Sequence, residues 1–328
     1  MQLLIFEYIT GGGFNRQTLP DSLLNEGQLM LSALLANLQV LNNIHSVVML
    51  DYRVNLTSDC TIINITATDN TLDIFKQLIN QSDAVWLIAP EFDNILENLS
   101  HIVTSANKIL LNSPASAVAI TANKWLSYLR LKQYAINTVA TAILKNTVHN
   151  PLKNSIKNTS EWIIKPIDGV GCSDTYVLND WQQLKSLPLK INHTLIQPHL
   201  LGKKTSLSAV FKQGKAWLLC VNEQHFKIIN NAYQLKSISV NSIAKAKHYE
   251  QLLAQIATAF PELWGYVGID LIETDNAIFV LEINPRLTSS FVGIYQATGI
   301  NVAEVVLSLL TGEAVIKATR NDSVNLKF

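Results

Sequence analysis

Short apolar runs and longer amphipathic stretches take turns over the first third of the chain. Strands are predicted at residues 3–8, 46–50, 61–65, 84–89 and 108–111, with helices between them at 22–39, 71–80 and 93–105. Strand and helix patterns in alternation imply a parallel sheet joined by crossover helices. The texture changes near residue 122. A helix over 122–133 precedes strand patterns at 138–144, 162–165, 174–178 and 194–197, and a polar stretch containing Pro151, residues 149–160, reads as a loop. Beyond Gly202, strands at 206–211 and 216–221 flank Lys212-Gln213-Gly214-Lys215, a hairpin turn by composition. A helix over 247–259 leads into a second hairpin, 265–273 with 278–284, turning at Thr274-Asp275-Asn276. A last helix covers 302–310. The pattern reads as an α/β domain at 1–113 followed by two α+β lobes at 114–196 and 197–328.

Composition supports well-filled cores, with 48% hydrophobic and only 15% charged residues. Lys plus Arg and Asp plus Glu each total 25, so the formal net charge is zero and no basic field is available for a nucleic acid. No apolar run approaches the roughly 20 residues that a membrane span needs. The opening Met1-Gln2-Leu3-Leu4-Ile5-Phe6-Glu7 reads as a first buried strand, not as a signal peptide. Cys60, Cys172 and Cys220 form no CxxC pair and no zinc spacing, so a reduced, cytoplasmic setting is expected. A homodimer is an open expectation.

Candidate chemistry concentrates in the last hairpin. Asp270 lies in Val267-Gly268-Ile269-Asp270-Leu271-Ile272, a run too apolar to solvate a carboxylate well. Glu282 and Asn284 follow in Phe279-Val280-Leu281-Glu282-Ile283-Asn284-Pro285-Arg286. Strand side chains alternate faces, so Glu282 and Asn284 share one face. If the strands pair across Asp275 and Asn276, Asp270 falls roughly opposite Glu282. Two carboxylates that close repel unless one is protonated or a cation lies between them. Hard oxygen donors without His or Cys favour Mg²⁺ or Mn²⁺, most naturally bound together with phosphates. On the residues alone, the solvated face of an ordinary hairpin fits about as well. Arg286 argues against that, because a cation beside such a site can neutralise a transferred phosphoryl group.

A second signal is Ile163-Ile164-Lys165-Pro166-Ile167-Asp168-Gly169-Val170-Gly171-Cys172-Ser173. A Lys ends an apolar strand and a Gly-containing loop follows, whose backbone N–H groups can cradle phosphates. The spacing is neither a P-loop nor a dinucleotide fingerprint, and Asp168-Gly169 alone also reads as a common turn. Lys124 opens a helical stretch, where the helix dipole disfavours a cation. That hints at another use, although a solvated Lys is the simpler reading.

These parts in this order resemble the ATP-grasp family, over about residues 113–312. The resemblance implies an ATP-grasp fold in which two α+β lobes enclose a nucleotide, preceded by the parallel-sheet domain. It implies ATP-dependent joining of a small-molecule carboxylate to an amine. By the same resemblance Lys124 and Lys165 contact the nucleotide phosphates, and Gly169, Gly171 and Ser173 belong to the loop over them. Gln197, Pro198, His199 and Leu200 form the hinge whose backbone reads adenine. Asp270, Glu282 and Asn284 bind the metals, and Arg286, with Ser289 and Ser290, faces the acyl phosphate. The hinge departs from the pattern: Gln197 stands where relatives often carry Glu, and Lys204 stands where a Glu often binds the ribose.

The opening Phe6-Glu7-Tyr8-Ile9-Thr10-Gly11-Gly12-Gly13-Phe14, with Leu23-Leu24-Asn25-Glu26-Gly27, resembles a narrower branch. Its ligases join tyramine to glutamate in methanofuran-type cofactor synthesis. Ligands of open α/β sheets bind beyond the carboxyl ends of strands, where a backbone without Cβ atoms can approach closely. Glu7, Gly11, Gly12, Gly13 and Arg16 are therefore candidate substrate-binding residues, although a plain connector with a surface Arg16 fits nearly as well. A ligase for another pair and a non-catalytic nucleotide-binding regulator are the remaining readings.

Overall fold

A computed structural model of the chain describes residues 1–144, 152, 160–169, 174–187, 190 and 193–328. Its first third is built on β1 (Gln2–Glu7), α1 (Asp21–Gln39), β2 (His45–Asp51), β3 (Thr61–Ile65), α2 (Thr71–Gln81), β4 (Ala84–Ile88), α3 (Ile95–Ser105) and β5 (Ile109–Leu110). The strands form one parallel sheet in the order β3-β2-β1-β4-β5, as the alternation predicts. The helix predicted from residue 93 starts later, at Ile95. Asp93 and Asn94 adopt left-handed backbone angles, φ 52° and 57°, which no α-helix continues through.

The rest of the chain runs through α4 (Ala115–Thr121), α5 (Lys124–Gln133), β6 (Ala142–Ile143), β7 (Trp162–Pro166), β8 (Tyr176–Leu178) and β9 (Thr194–Pro198). It continues with β10 (Lys203–Lys212), β11 (Lys215–Ile229), β12 (Ala232–Ile243), α6 (Lys247–Ala259), β13 (Gly265–Glu273), β14 (Ile278–Asn284), α7 (Phe291–Thr298), α8 (Val302–Ser308) and β15 (Val324–Lys327). These strands share one large sheet, in the order β14-β13-β10-β11-β12-β8-β7-β9-β6, with β15 paired to β12. Its two parts meet through a single register pair, Ala232 with Tyr176. The lobe boundary expected at 196/197 falls inside β9.

Both hairpins form where composition places them. At the first, Gln213 and Gly214 both have positive φ, 48° and 74°, the geometry of the tightest hairpin turns. Other elements differ from expectation for physical reasons. The strand predicted at 138–144 is reduced to Ala142–Ile143, while Thr138 makes an isolated bridge to Val280. The helix predicted from 122 starts two residues later, at Lys124, because Asn123 caps α5, its side chain accepting from the N–H groups of Trp125 and Leu126. β12 escapes pattern reading because a bulge pairs His225 with Ser237 but Phe226 with Leu235, so its apolar positions change phase. α7 is short and almost wholly apolar, and its Gly293 lets the helix close on Val240. The polar loop predicted at 149–160 lies, but for Leu152 and Ser160, outside the described residues.

One core cluster unites the two halves. Leu3, Ile5 and Trp86 of the parallel sheet, Leu31 and Leu34 of α1, and Phe291, Ile294, Val302 and Val306 of α7 and α8 pack together. Asn37 of α1 and Asn301 tie this seam with buried hydrogen bonds. The carboxyl ends of β1 and β4 are thereby held against the loop that follows β14. Among the described residues no single helix is long and apolar enough to cross a membrane.

Candidate active site

The β13–β14 register sets Asp270 directly against Glu282, and Gly268 against Asn284, with a bulge just after Asp270. Asp270 accepts through Oδ1 from Gln224 Nε2 at 2.9 Å and through Oδ2 from Asn284 Nδ2 at 3.0 Å. Burial, and then the charge of Glu282, push the Asp270 carboxyl up to about 6. Burial also works to raise Glu282, but the charges of Lys124, Lys165 and Arg286 outweigh it and hold that carboxyl below its ordinary range. The pair is an electrostatically strained donor set that a cation would relieve.

Lys124 resolves the oddity of a cation at a helix start. Its Nζ lies 2.8 Å from Glu282 Oε1 and donates to the Gly169 carbonyl at 2.6 Å, so it joins the metal-type strand to the glycine loop. Lys165 is buried at the end of β7 on the same cleft. Gly171 and Ser173 lie outside the described residues.

The hinge begins in the last two residues of β9. Gln197 donates through Nε2 to Thr141 Oγ1 at 2.8 Å. The His199 side chain is only 6% exposed. Its Nδ1 lies 2.7 Å from Glu161 Oε2 and its Nε2 lies 2.6 Å from the Tyr233 hydroxyl, so both ring nitrogens are engaged within the protein. Lys204 donates to the carbonyls of Leu200 and Gly202, at 3.1 and 3.4 Å, and burial lowers its pKa.

On the far side of the metal-type pair, Arg286 donates through Nε to Glu91 Oε1 at 2.8 Å and through Nη1 to the Leu287 carbonyl at 3.0 Å. Desolvation works to lower its pKa, but the charges of Glu91, Glu282 and Glu26 raise it, so it stays a cation. Ser289 Oγ donates to Glu26 Oε2 at 2.8 Å. Ser290 Oγ lies 3.0 Å from Thr288 Oγ1 and 3.3 Å from Ser208 Oγ, in a buried hydroxyl network with Tyr266.

A cleft of about 210 Å³ gathers these groups: the two lysines and Gly169, the hinge from Gln197 to Leu200, the Asp270–Glu282–Asn284 set, and Arg286 with Ser289 and Ser290. Glu7, Gly11, Gly12, Gly13 and Arg16 do not line it. Glu7 is 2% exposed and accepts through Oε2 from the Thr10 N–H at 2.6 Å. Burial pushes its carboxyl up to about 7. The glycines are taken up by packing: Gly12 has φ 98°, and a Cβ there would meet Ile65 at 2.6 Å. Arg16 is exposed and donates to the carbonyls of Thr68 and Asp69, at 3.3 and 3.0 Å.

The donor chemistry of the Asp270 set fits a hard divalent cation. Among the described residues no three His, Cys, Asp or Glu side chains gather as a metal site, so such a cation would need phosphate oxygens to complete its shell. Sequence reasoning does not find Gln224, Glu161, Tyr233 or Glu91. Only Glu91 carried a signal, as a carboxylate just past the end of a parallel strand.

Comparison with known proteins agrees with this geometry. Residues 121–290 match the family model of the ATP-grasp domain, and residues 44–118 match that of the pre ATP-grasp 3 domain. The tyramine–L-glutamate ligase of Methanocaldococcus jannaschii is 26% identical over 315 residues, covering 95% of this chain and 90% of the relative. The enzyme of the same name from Methanocaldococcus fervens is 26% identical over 316 residues, covering 95% and 94%. Among solved structures, an ATP-grasp superfamily protein from Archaeoglobus fulgidus superposes with a TM-score of 0.74 at 23% identity, covering 100% of this chain and 92% of that one. An L-amino acid ligase from Bacillus licheniformis superposes with a TM-score of 0.63 at 15% identity, covering 93% and 73%. With a family model spanning just over half of its length, and the architecture to match, the chain belongs to the ATP-grasp family.

Proposed function

We propose that the protein is an ATP-dependent carboxylate–amine ligase, and that its substrates are glutamate, through its γ-carboxyl, and tyramine or a similar aromatic amine. The observation that carries the ligase reading is the convergence of Lys124, Lys165, Asp270, Glu282, Asn284 and Arg286 on one cleft beside a buried hinge. The substrate pair is supported by the names of the two archaeal relatives, each aligned over nearly the whole chain.

In this reading a carboxylate oxygen of the substrate attacks the γ-phosphorus of ATP, the bond to the bridging oxygen breaks, and ADP leaves. The amine then attacks the acyl phosphate, loses a proton and displaces phosphate. Asp270, Glu282 and Asn284 would hold Mg²⁺ or Mn²⁺, which when bound supplies charge neutralisation at the phosphates. Lys124 and Lys165 contribute fixed positive charge beside them, and Gly169, with Gly171 and Ser173, offers backbone N–H groups. The backbone of Gln197, Pro198, His199 and Leu200 reads the adenine edge. Arg286 faces the transferred phosphoryl group, with Ser289 and Ser290 beside it. The reading does not rest on Glu7, Gly11, Gly12, Gly13 or Arg16.

The test is incubation of the protein with Mg-ATP, glutamate and tyramine, followed by nucleotide analysis and mass spectrometry. ADP, phosphate and a γ-glutamyl amide are expected. AMP and pyrophosphate would overturn the acyl-phosphate route. ADP release with a different amine or carboxylate, but not with this pair, would keep the ligase and remove the substrates.

A further inference from the structure

We infer that Glu91, contributed by the parallel-sheet half of the molecule, is a positioning residue for Arg286. The inference rests on the ligase reading only for what Arg286 does, not for how it is held. Glu91 and Arg286 stand 195 residues apart in the chain, yet Glu91 Oε1 lies 2.8 Å from Arg286 Nε across the seam between the two sheets. Glu91 is 5% exposed and the Arg286 side chain 14%.

The guanidinium is held at two of its three nitrogens. Nε is taken by Glu91 and Nη1 by the Leu287 carbonyl, while Nη2 makes no hydrogen bond among the described residues. An Arg held this way keeps Nη2 in a fixed position to donate to an oxyanion. The other carboxylates close by include Glu282 and Glu26, which act on the Arg286 charge, and Asp270 and Glu7, on which that charge acts. Without Glu91 the guanidinium would be drawn to one of those carboxylates. If it were drawn to Glu282, it would compete with Lys124 for a residue of the metal-type pair. Glu91 therefore keeps the cation beside that pair without collapsing onto it.

Two features say that the contact is not there for stability. Glu91 Oε2 is buried with no hydrogen-bond partner, half of a desolvated carboxylate left unsatisfied. The backbone just after it passes through Asp93 and Asn94 in consecutive left-handed conformations, which are costly for residues with a Cβ. Buried ion pairs of this kind seldom repay their desolvation.

The experiment is a double-mutant cycle of Glu91→Ala and Arg286→Lys, read by ADP release and by the Arg286 Nε–H resonance in nitrogen-15-labelled protein. Glu91→Ala should lower kcat by roughly 10²-fold, the cost of a misplaced group, with KM for ATP within about twofold. The double variant should be no slower than Arg286→Lys alone, because Glu91 acts only through Arg286. The Nε–H resonance, assigned by its loss in Arg286→Lys, should be protected from exchange in the wild type and unprotected in Glu91→Ala. Glu91→Gln, which keeps the shape and one acceptor oxygen, should rescue part of both and serves if the Ala variant does not fold. Additive losses in the cycle, or an Nε–H that stays protected without Glu91, overturn the inference. A wild type that turns over no substrate pair strikes the proposed function instead, since the resonance reads the pairing without turnover.

Discussion

The β13–β14 hairpin and the turn after β1 are both dense in polar and glycine residues, yet they aim them in opposite directions. The hairpin turns Asp270, Glu282 and Asn284 into the cleft, where two carboxylates oppose each other in register. The turn draws Glu7 inward under Gly27, where a Cβ would sit 2.7 Å from the Glu7 carboxyl carbon, and closes Gly12 onto Ile65. One region holds charge strain open to a ligand. The other spends its glycines on close packing. The lesson is that alternation along a strand fixes the direction of a side chain, whereas a run of glycines fixes only that the backbone is unusual there.

The largest effect should come from the hairpin. Asp270→Asn and Glu282→Gln each remove one charge at nearly constant shape, and each should lower kcat/KM by about 10³-fold. Their stabilities should split. Asp270→Asn removes a repulsive neighbour of Glu282 but turns one acceptor of the Gln224 and Asn284 contacts into a donor, so it should melt close to the wild type. Glu282→Gln takes the charged partner from the buried Lys124 and should melt lower. Kinetics at limiting Mg²⁺ and thermal melts of both variants check this. Near wild-type turnover in either would put the hairpin on the same footing as the turn.

Next in size is a pH effect on the turn. Glu7 is raised from 4.5 to about 7 in the folded protein, chiefly by burial. A raised carboxyl favours folding fully below its unfolded pKa, and that contribution is lost as pH climbs through the folded value. Between pH 4.5 and 7 the loss should total on the order of 3 kcal/mol. Urea titrations of wild type and Glu7→Gln across that window test it. The Gln variant should lack this part of the decline. Parallel curves would mean that Glu7 is ionised and partnered, and so a better candidate for binding an ammonium group.

What was legible in the sequence follows the range of each interaction. The parallel sheet, both hairpins, α6 and the facing of Asp270 and Glu282 all come from local periodicity and turn chemistry. β12 was hidden by one bulge that shifts its phase, and α7 by being short and mostly apolar. The partnerships that shape the cleft are non-local: Lys124 with Glu282, Arg286 with Glu91, and His199 between Glu161 and Tyr233. No spacing along the chain announces them. Nothing near His199 in sequence says that a hairpin from β11 and β12 will cover it.

The smallest effect should belong to Arg16, and it bears most directly on the comparison. Arg16 offers its Nη2 to two loop carbonyls, those of Thr68 and Asp69, and Asn15 beside it donates to the Thr66 and Asp69 carbonyls at 2.7 and 3.0 Å. The two side chains staple the turn after β1 to the loop after β3. Because Arg16 is exposed, water replaces most of what it loses on truncation, so Arg16→Ala should cost about 0.5 kcal/mol of stability. The KM for the carboxylate substrate should stay within about twofold of wild type. A bidentate grip on a substrate carboxylate would instead make Arg16→Ala raise KM by roughly tenfold or more, with little change in stability. Denaturant titration and substrate-dependent ADP release on the same variant separate the two outcomes. The second would show that the turn after β1 binds substrate despite its inward packing, and that the cleft is only part of the site.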